Sequence, residues 1–387
     1  MSSDFSGTRP RIETLAVHAG RRTDPATGAV VAPIHLSTTF ERDADGQYPH
    51  GFSYTRDNNP NRSSLEACMA ALEGGAAALA FSSGLATLTA ILQGLQPGDH
   101  IIAPLDVYHG FRSVIGKVFA NRQIETSYVD MSDSVQVAAA LRPNTRLIWI
   151  ETPSNPLLKI TSLPAVAQVA RAAGVLTVCD GTFATPVLQR PLDHGIDMVA
   201  HSTTKYIAGH SDVLGGALIA REENALFVSA RQAQKFVGAV PSPFDCWLTL
   251  RGIETLPCRV RAQSTSAFEV AKFLHAHHAI EAVFYPGLES HPGHKIAARQ
   301  MTQFGGVLSV KVKGGAEDAI AVAAAVRLFT RATSLGGTHS VIEHRASMED
   351  PASTTPKNLL RVSIGLENTA DLIEDLEQAL AKVNQRT

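Results

Sequence analysis

The chain has 387 residues, of which 44% are hydrophobic, enough to bury more than one core. Its 34 basic and 36 acidic residues give a formal net charge of −2 without a long run of either sign, which argues against a nucleic-acid-binding surface. No apolar run reaches the length of a membrane span or a signal peptide, and four scattered cysteines are typical of a reducing compartment. We therefore expect a cytoplasmic protein that acts on small polar molecules without a membrane partner.

The first 60 residues are rich in Pro, Gly, Thr and Asn and show little helical periodicity. A lead of this length without regular structure usually packs against another surface. From about residue 62, helices and short apolar strands alternate. The pattern predicts helices over 63–72 and 83–93, and strands over 76–81, 100–103, 126–129, 146–150, 175–179, 198–200 and 216–220.

Strands separated by helices predict a mostly parallel central sheet covered by helices on both faces, which is an α/β fold. After residue 250 the pattern changes to a long helix over 257–277, then helix and strand pairs, and a final helix over 369–383. We interpret residues 1–60 as an arm, 61–250 as a large domain and 251–387 as a smaller C-terminal α+β domain.

Lys205 and Asp180 each follow an apolar strand pattern, in the runs VAHSTTKY (199–206) and CDGTFATP (179–186). In a parallel sheet such positions lie at the carboxyl edge, where ligands bind. Pyridoxal phosphate needs an amine for its aldehyde, a carboxylate beside its ring nitrogen and small donors around its phosphate. This window offers all three. A solvated lysine and a turn-capping aspartate are the alternatives that the residues alone leave open.

The histidines at 275, 277 and 278 lack an acidic or cysteine partner at ligand spacing, so no metal site is expected.

Small residues mark a second part of this predicted site. Ser83, Gly84 and Leu85 lie at a strand-to-helix junction, where free backbone N–H groups attract a phosphate. Many helices begin with Ser and Gly, so these residues alone indicate a phosphate site only weakly. Ser202 and Thr204 strengthen the prediction because they offer further small donors to the same phosphate. Tyr108 follows another strand and could stack on the coenzyme ring, although an aromatic residue there is more often part of the packing.

Arg361 lies inside an apolar strand pattern, LLRVS (359–363). Burying a guanidinium at such a position costs free energy unless it pairs with an anion. The residues alone allow two interpretations, a clamp on the carboxylate of an amino-acid substrate or a structural salt bridge.

Taken together, these residues resemble the Cys/Met-metabolism family of pyridoxal-phosphate enzymes, which includes cystathionine γ-synthase, cystathionine γ-lyase, cystathionine β-lyase and methionine γ-lyase. The resemblance extends from about residue 18 to the last helix and implies the type I fold of pyridoxal-phosphate transferases. The motifs that carry it are YTR (54–56) with NP (59–60), SSG (82–84), ETPSNP (151–156), DGTFATP (180–186), STTKY (202–206), SLGG (334–337) and Arg361.

The resemblance implies a role for each matching residue. Lys205 would bind pyridoxal 5′-phosphate as a Schiff base and carry protons, Tyr108 would stack on the ring beside the reaction, and Asp180 would pair with the ring nitrogen. Further coenzyme contacts are implied for Ser83, Gly84, Leu85, Thr182, Ser202 and Thr204. Contacts with the substrate are implied for Asn155, His339, Ser340 and Arg361.

The resemblance also implies an assembly. In that family the N-terminal Tyr and Arg, here Tyr54 and Arg56, reach the coenzyme phosphate of a neighbouring subunit. The irregular lead would then be an exchanged arm. We expect a homotetramer built from two dimers that share active sites.

Several residues depart from the family pattern, mainly on the substrate side. Gly181 stands where Asn is common, and His109 stands where many members have Gly. His339 stands where the γ-synthases and γ-lyases usually carry Glu, a residue suited to the distal ammonium of cystathionine. Arg345 replaces a common Pro, and Glu-Asp at 349–350 replaces a common Thr-His. These changes predict a differently charged pocket.

The sequence therefore predicts an enzyme that removes or replaces a γ substituent of an L-amino acid. Candidate substrates are cystathionine, an O-acylhomoserine with cysteine, methionine and canavanine, the last because an altered pocket suits an unusual leaving group. A β-eliminating lyase is one alternative. A homologue that binds the coenzyme without catalysis is another.

Overall fold

Two β-sheets organise the chain, which is described by a computed structural model over residues 10–349 and 355–381. The larger sheet contains β1 (Ala77–Phe81), β2 (His100–Pro104), β3 (Glu125–Val129), β4 (Thr145–Glu151), β5 (Leu176–Asp180), β6 (Met198–His201) and β7 (Gly216–Ala220). These strands lie in the order β1-β7-β6-β5-β4-β2-β3. β7 runs antiparallel to the two strands beside it, β1 and β6, and the other neighbouring pairs are parallel, so the predicted mostly parallel sheet is confirmed.

Helices cover both faces of this sheet because its central strands are mainly apolar and buried, and must be shielded from water on each side. α3 (Gly84–Leu92) and α8 (Ala225–Val237) pack on one face around Trp149, and α5 (Ser134–Ala139) and α6 (Leu163–Ala173) pack on the other around Ile148. Among the described residues, no helix is both long and apolar enough to cross a membrane. The helices that accompany the large sheet are α1 (Ile12–His18), α2 (Pro60–Glu73), α3 (Gly84–Leu92), α4 (His109–Ser113), α5 (Ser134–Ala139), α6 (Leu163–Ala173), α7 (Thr185–Leu188), α8 (Ala225–Val237) and α9 (Pro243–Ile253).

A smaller, mainly antiparallel sheet forms the core of the C-terminal region. Its strands are β8 (Ile280–Phe284), β9 (Val307–Val312), β10 (Thr330–Arg331), β11 (Val341–His344) and β12 (Leu359–Ser363), in the order β10-β11-β12-β9-β8. The remaining helices are α10 (Leu256–Ala276), α11 (His294–Gln300), α12 (Ala316–Ala325) and α13 (Thr369–Ala381). Of these, α10, α12 and α13 pack on the small sheet around Leu308 and Leu376. The end of the last predicted helix, residues 382–383, lies outside the described residues.

The N-terminal lead contains one helix that the sequence did not predict. α1 is only seven residues long, and only Ala16 within it is buried, so its apolar pattern is too short to stand out. It packs on α2 and α10. From residue 19 to residue 59 the described lead has no further helix, and Asn59 ends it by capping α2 through its side-chain oxygen. Residues 1–9 of the predicted arm lie outside the described residues.

The carboxyl ends of three neighbouring parallel strands meet at one edge of the large sheet. β4 ends at Glu151, β5 at Asp180 and β6 at His201. The register places Glu151 beside Asp180 and Asp180 beside Ala200. Since ligands of α/β sheets bind beyond such strand ends, this edge is where a functional site is expected.

Candidate active site

A cavity of about 400 Å³ opens at this edge. Residues after the strands of the large sheet form its floor, and β12 and the loop before β11 close it from the smaller sheet. Its lining includes most of the residues that the sequence predicts for the site. These are Ser83, Gly84, Leu85, Tyr108, Asn155, Asp180, Thr182, Ser202, Thr204, Lys205 and Arg361.

Lys205 projects into the cavity from the loop after β6. Its Nζ donates to Oγ of Ser334 at 2.7 Å. Burial, together with the positive charge of Arg361, lowers the pKa of the Lys205 amine to about 8. A lysine with this pKa is partly neutral near physiological pH, so it can act as a nucleophile and accept protons.

Asp180 ends β5 and is half-buried beside the cavity. Its Oδ1 accepts the backbone N–H of Thr182 at 2.9 Å. Burial raises the pKa of this carboxyl, while the Thr182 hydrogen bonds and the charges of His201 and Lys205 act in the opposite direction. Behind it, Nε2 of His201 lies 2.6 Å from Oε1 of Glu73, with both side chains fully buried. A half-buried carboxylate in this setting is suited to pair with a protonated ring nitrogen.

Glu151 is a second carboxyl in the lining, it is buried, and it is not among the predicted site residues. Its Oε2 accepts the backbone N–H of Tyr108 at 3.0 Å. Burial and the neighbouring Asp180 raise its pKa well above the usual range. The bond to Tyr108 fixes the start of α4, so Glu151 positions the aromatic residue over the cavity. A carboxylate at the end of an apolar strand was the signal that could have identified it.

The start of α3 forms the predicted phosphate side of the cavity. Oγ of Ser83 accepts the N–H of Ala86 at 3.0 Å and thereby caps the helix. Gly84 packs so closely on the next loop that a Cβ there would lie 2.9 Å from the Cβ of Ser202. The backbone is therefore held beside the hydroxyls of Ser202 and Thr204, and the first N–H groups of the helix are available to an anion.

Two threonines brace this side of the cavity. Oγ1 of Thr182 accepts the N–H of Ser202 at 2.9 Å. Oγ1 of Thr204 accepts the N–H of Gly215 at 2.9 Å and donates to its carbonyl at 3.2 Å. Part of the predicted hydrogen-bonding capacity of Thr182 and Thr204 is thus used to hold the loops in place.

Tyr108 lies at the mouth of the cavity, with 36% of its surface exposed. Its ring meets that of His109 edge to face, with centroids 4.4 Å apart. Gly110 lies directly behind the tyrosine, since a Cβ there would be 2.4 Å from the ring. One face of the ring therefore remains available to a flat ligand in the cavity.

Arg361 reaches the cavity from β12 and is 4% exposed. Its Nη1 donates to Oδ1 of Asn155 at 3.0 Å, and its Nη2 donates to the carbonyl of Ser334 at 3.1 Å and to Oε2 of Glu343 at 2.6 Å. Burial and the neighbouring Arg345 lower the pKa of Arg361 to about 10, so it is a cation at neutral pH. The two interpretations of Arg361 are therefore compatible, because it has a salt bridge and also lines the cavity.

Comparison with known proteins gives this geometry a context. The sequence profile of the family described as "Cys/Met metabolism PLP-dependent enzyme" matches residues 13–381. The chain belongs to this family.

Individual members are similar over nearly the whole length. The cystathionine gamma-synthase of Mycobacterium tuberculosis is 48% identical, covering 95% of this chain and 96% of that protein. The cystathionine beta-lyase of Coxiella burnetii is 40% identical, covering 96% and 98%. The solved structure of the Lactobacillus plantarum cystathionine gamma-lyase complexed with L-serine has a TM-score of 0.92 at 36% identity, covering 97% of this chain and all of that one.

Pyridoxal 5′-phosphate is therefore the coenzyme of this enzyme, and the residues of the cavity fit it. One space of sufficient size is surrounded by the amine of Lys205, the carboxylate of Asp180, the ring of Tyr108 and the helix start at Gly84. When bound, the coenzyme supplies an electron-withdrawing ring that stabilises negative charge on the carbon atoms of an amino acid.

Two residues predicted to contact the substrate, Ser340 and His339, are not among the residues that line this cavity. Ser340 is fully buried and donates through Oγ to Oε2 of Glu367 at 2.8 Å, and it does not line the cavity of this chain. His339 is exposed and does not line it either. The cavity is instead lined by Ser334, which holds Lys205, and by its neighbour Thr333. Ser334 is the first residue of the SLGG motif, whereas the predicted contact, Ser340, lies six residues later in the same loop.

Tyr54 and Arg56 lie outside the cavity of their own chain. Nη1 of Arg56 donates to the carbonyl of Lys235 at 2.7 Å, and its guanidinium lies 5.4 Å from the centre of the Tyr54 ring. Tyr54 is 43% exposed. This placement agrees with a role in another subunit, which remains a prediction.

Proposed function

We propose that this enzyme removes the γ substituent of an L-amino acid by elimination, or replaces it with a nucleophile. The observation that carries this proposal is the position of Lys205, whose amine has a pKa lowered to about 8 and shares one cavity with Asp180 and Arg361. The resemblance to a cystathionine gamma-synthase at 48% identity supports chemistry at Cγ.

The proposed roles follow from what each side chain can reach. Arg361 binds the α-carboxylate of the substrate, and Asn155 orients Arg361 through its bond to Nη1. Lys205 takes the proton from Cα and then one from Cβ, which allows the γ substituent to leave as an anion or after protonation. Ser334 holds the lysine amine on the substrate side between these steps. The ring of Tyr108 limits the space above the reacting carbons.

The choice of substrate rests on the wall beyond Tyr108. His339 does not line the cavity of this chain, and cystathionine is the first substrate to test. Two departures from the family pattern do line the wall, His109 and Arg345. We therefore retain canavanine, methionine and the O-acylhomoserines as candidates. Because one of the similar proteins is a cystathionine beta-lyase, β-elimination is a second candidate reaction.

We further propose a homotetramer of two dimers in the cytoplasm. The exposed Tyr54 and Arg56 and the exposed apolar residues Val30, Val31 and Leu36 of the lead support an exchanged arm. All four cysteines are free thiols, which agrees with a reducing compartment.

The test is to incubate the purified holoenzyme with each candidate substrate and identify the products by mass. Cystathionine should give 2-oxobutyrate and cysteine, or should form from an acylhomoserine and cysteine. Turnover of canavanine alone would assign a separate specificity within the same chemistry. Pyruvate in place of 2-oxobutyrate would contradict chemistry at Cγ.

A further inference from the structure

Four charged side chains form a chain of ion pairs at one wall of the cavity, which two of them, Arg345 and Arg361, line. Nη2 of Arg361 and Nη1 of Arg345 both donate to Oε2 of Glu343, at 2.6 Å and 2.9 Å. Nη2 of Arg345 donates to Oε1 of Glu349 at 2.9 Å. The four side chains are 2% to 9% exposed. The departures at 345 and 349 are therefore one ion pair, and it is joined to Arg361 through Glu343.

The position of Glu343 creates a problem for carboxylate binding. A substrate carboxylate on Arg361 lies near the carboxylate of Glu343, because both use the same guanidinium. Like charges repel strongly in a buried site, where water does not screen them. If Arg361 were the only cation near Glu343, the two would form a neutral pair with little attraction for a further anion.

We propose that Arg345 is a positioning residue for substrate binding. Its guanidinium attracts the carboxylate of Glu343 and so weakens the attraction between Glu343 and Arg361, which leaves Arg361 able to bind the α-carboxylate. Arg345 shares the one oxygen of Glu343 that Arg361 also uses, and it lines the same cavity. This inference rests on the proposed function, since it takes Arg361 as the carboxylate site.

Glu349 has the opposite influence in this arrangement. It accepts from the far side of the Arg345 guanidinium and neutralises part of its charge. Replacing Glu349 with Gln would leave Arg345 more positive toward Glu343. The two substitutions R345Q and E349Q should therefore change carboxylate affinity in opposite directions, whereas a merely structural ion pair would make both changes harmful.

The experiment compares two ligands that differ only in the carboxylate. L-Alanine and L-alaninamide are titrated into the holoenzyme, and the visible absorbance of the bound coenzyme reports binding; neither ligand has a γ substituent to lose. R345Q should weaken alanine binding roughly tenfold, and alaninamide binding less than twofold. E349Q should strengthen alanine binding about twofold to fivefold. R345K, which retains the charge without the two-pronged geometry, should recover part of the affinity.

Each outcome decides the inference. An alanine-to-alaninamide ratio unchanged in R345Q overturns it, and so does weaker alanine binding in E349Q. If R345Q does not fold, as judged by circular dichroism, E349Q decides alone. Failure of the wild-type enzyme to bind alanine, or equal loss of both ligands in R361Q, would instead reject Arg361 as the carboxylate site and with it part of the proposed function.

Discussion

Raising the pH should accelerate the uptake of pyridoxal phosphate by the coenzyme-free protein until Lys205 has lost its proton. Only the neutral amine attacks an aldehyde. With a pKa of about 8, roughly one in eleven Lys205 amines is neutral at pH 7, against about one in 3,000 for a lysine of pKa 10.5. Partial burial and the neighbouring Arg361 therefore increase the reactive fraction of Lys205 about 300-fold.

The assay removes the coenzyme, adds it back in excess and follows the visible absorbance band by stopped flow between pH 6 and about 10. The rate should rise about tenfold per pH unit below 8 and level off above it. A simple amine, measured in parallel, corrects for ionisation of the coenzyme itself. R361Q should move the midpoint upward, because Arg361 contributes to the lowered pKa. A rate that continues to rise up to pH 10 in the wild-type protein would refute the reasoning.

Three further predictions test the site. Lys205→Ala should lose the covalently held coenzyme, as measured by mass spectrometry after borohydride reduction, and its turnover should fall by several orders of magnitude in steady-state kinetics. Retained turnover would reject Lys205 as the proton carrier. Mixing Arg56→Ala or Tyr54→Phe subunits with Lys205→Ala subunits should restore activity, and no recovery despite proven subunit exchange would count against shared sites. Ser334→Ala should lower kcat and shift the coenzyme absorbance, whereas Ser340→Ala should mainly lower the melting temperature; the reverse pattern would restore Ser340 as the site residue.

Much of the fold and the coenzyme site follows from local sequence. The sequence pattern directly predicts the apolar strands that end in Asp180 or in the loop to Lys205. A parallel sheet brings the carboxyl ends of such strands together. Gly84 can also be predicted, because a glycine just after a strand is typical of a place where another part of the chain or a ligand approaches the backbone too closely for a side chain. These features depend on short segments and on one general rule of sheet geometry.

The substrate side could not be read in the same way. Ser334 and Ser340 lie six residues apart in one loop, and only the folded path of that loop decides which of them meets Lys205. The charges at Arg345 and Glu349 were visible, but their mutual neutralisation depends on an exact three-dimensional contact. α1 was missed because its seven residues bury too little apolar surface to show a helical pattern.

The most direct test of the central claim is hydrogen exchange in D₂O, followed by NMR, with L-2-aminobutyrate, an amino acid without a leaving group. The account predicts that the holoenzyme exchanges the hydrogens on both Cα and Cβ, and that Lys205→Ala exchanges neither, because chemistry at Cγ requires a proton to be taken from each carbon in turn. Exchange at Cα alone would contradict the account and indicate a β-eliminating enzyme. Absence of exchange in the wild-type holoenzyme would indicate a protein that binds the coenzyme without catalysis.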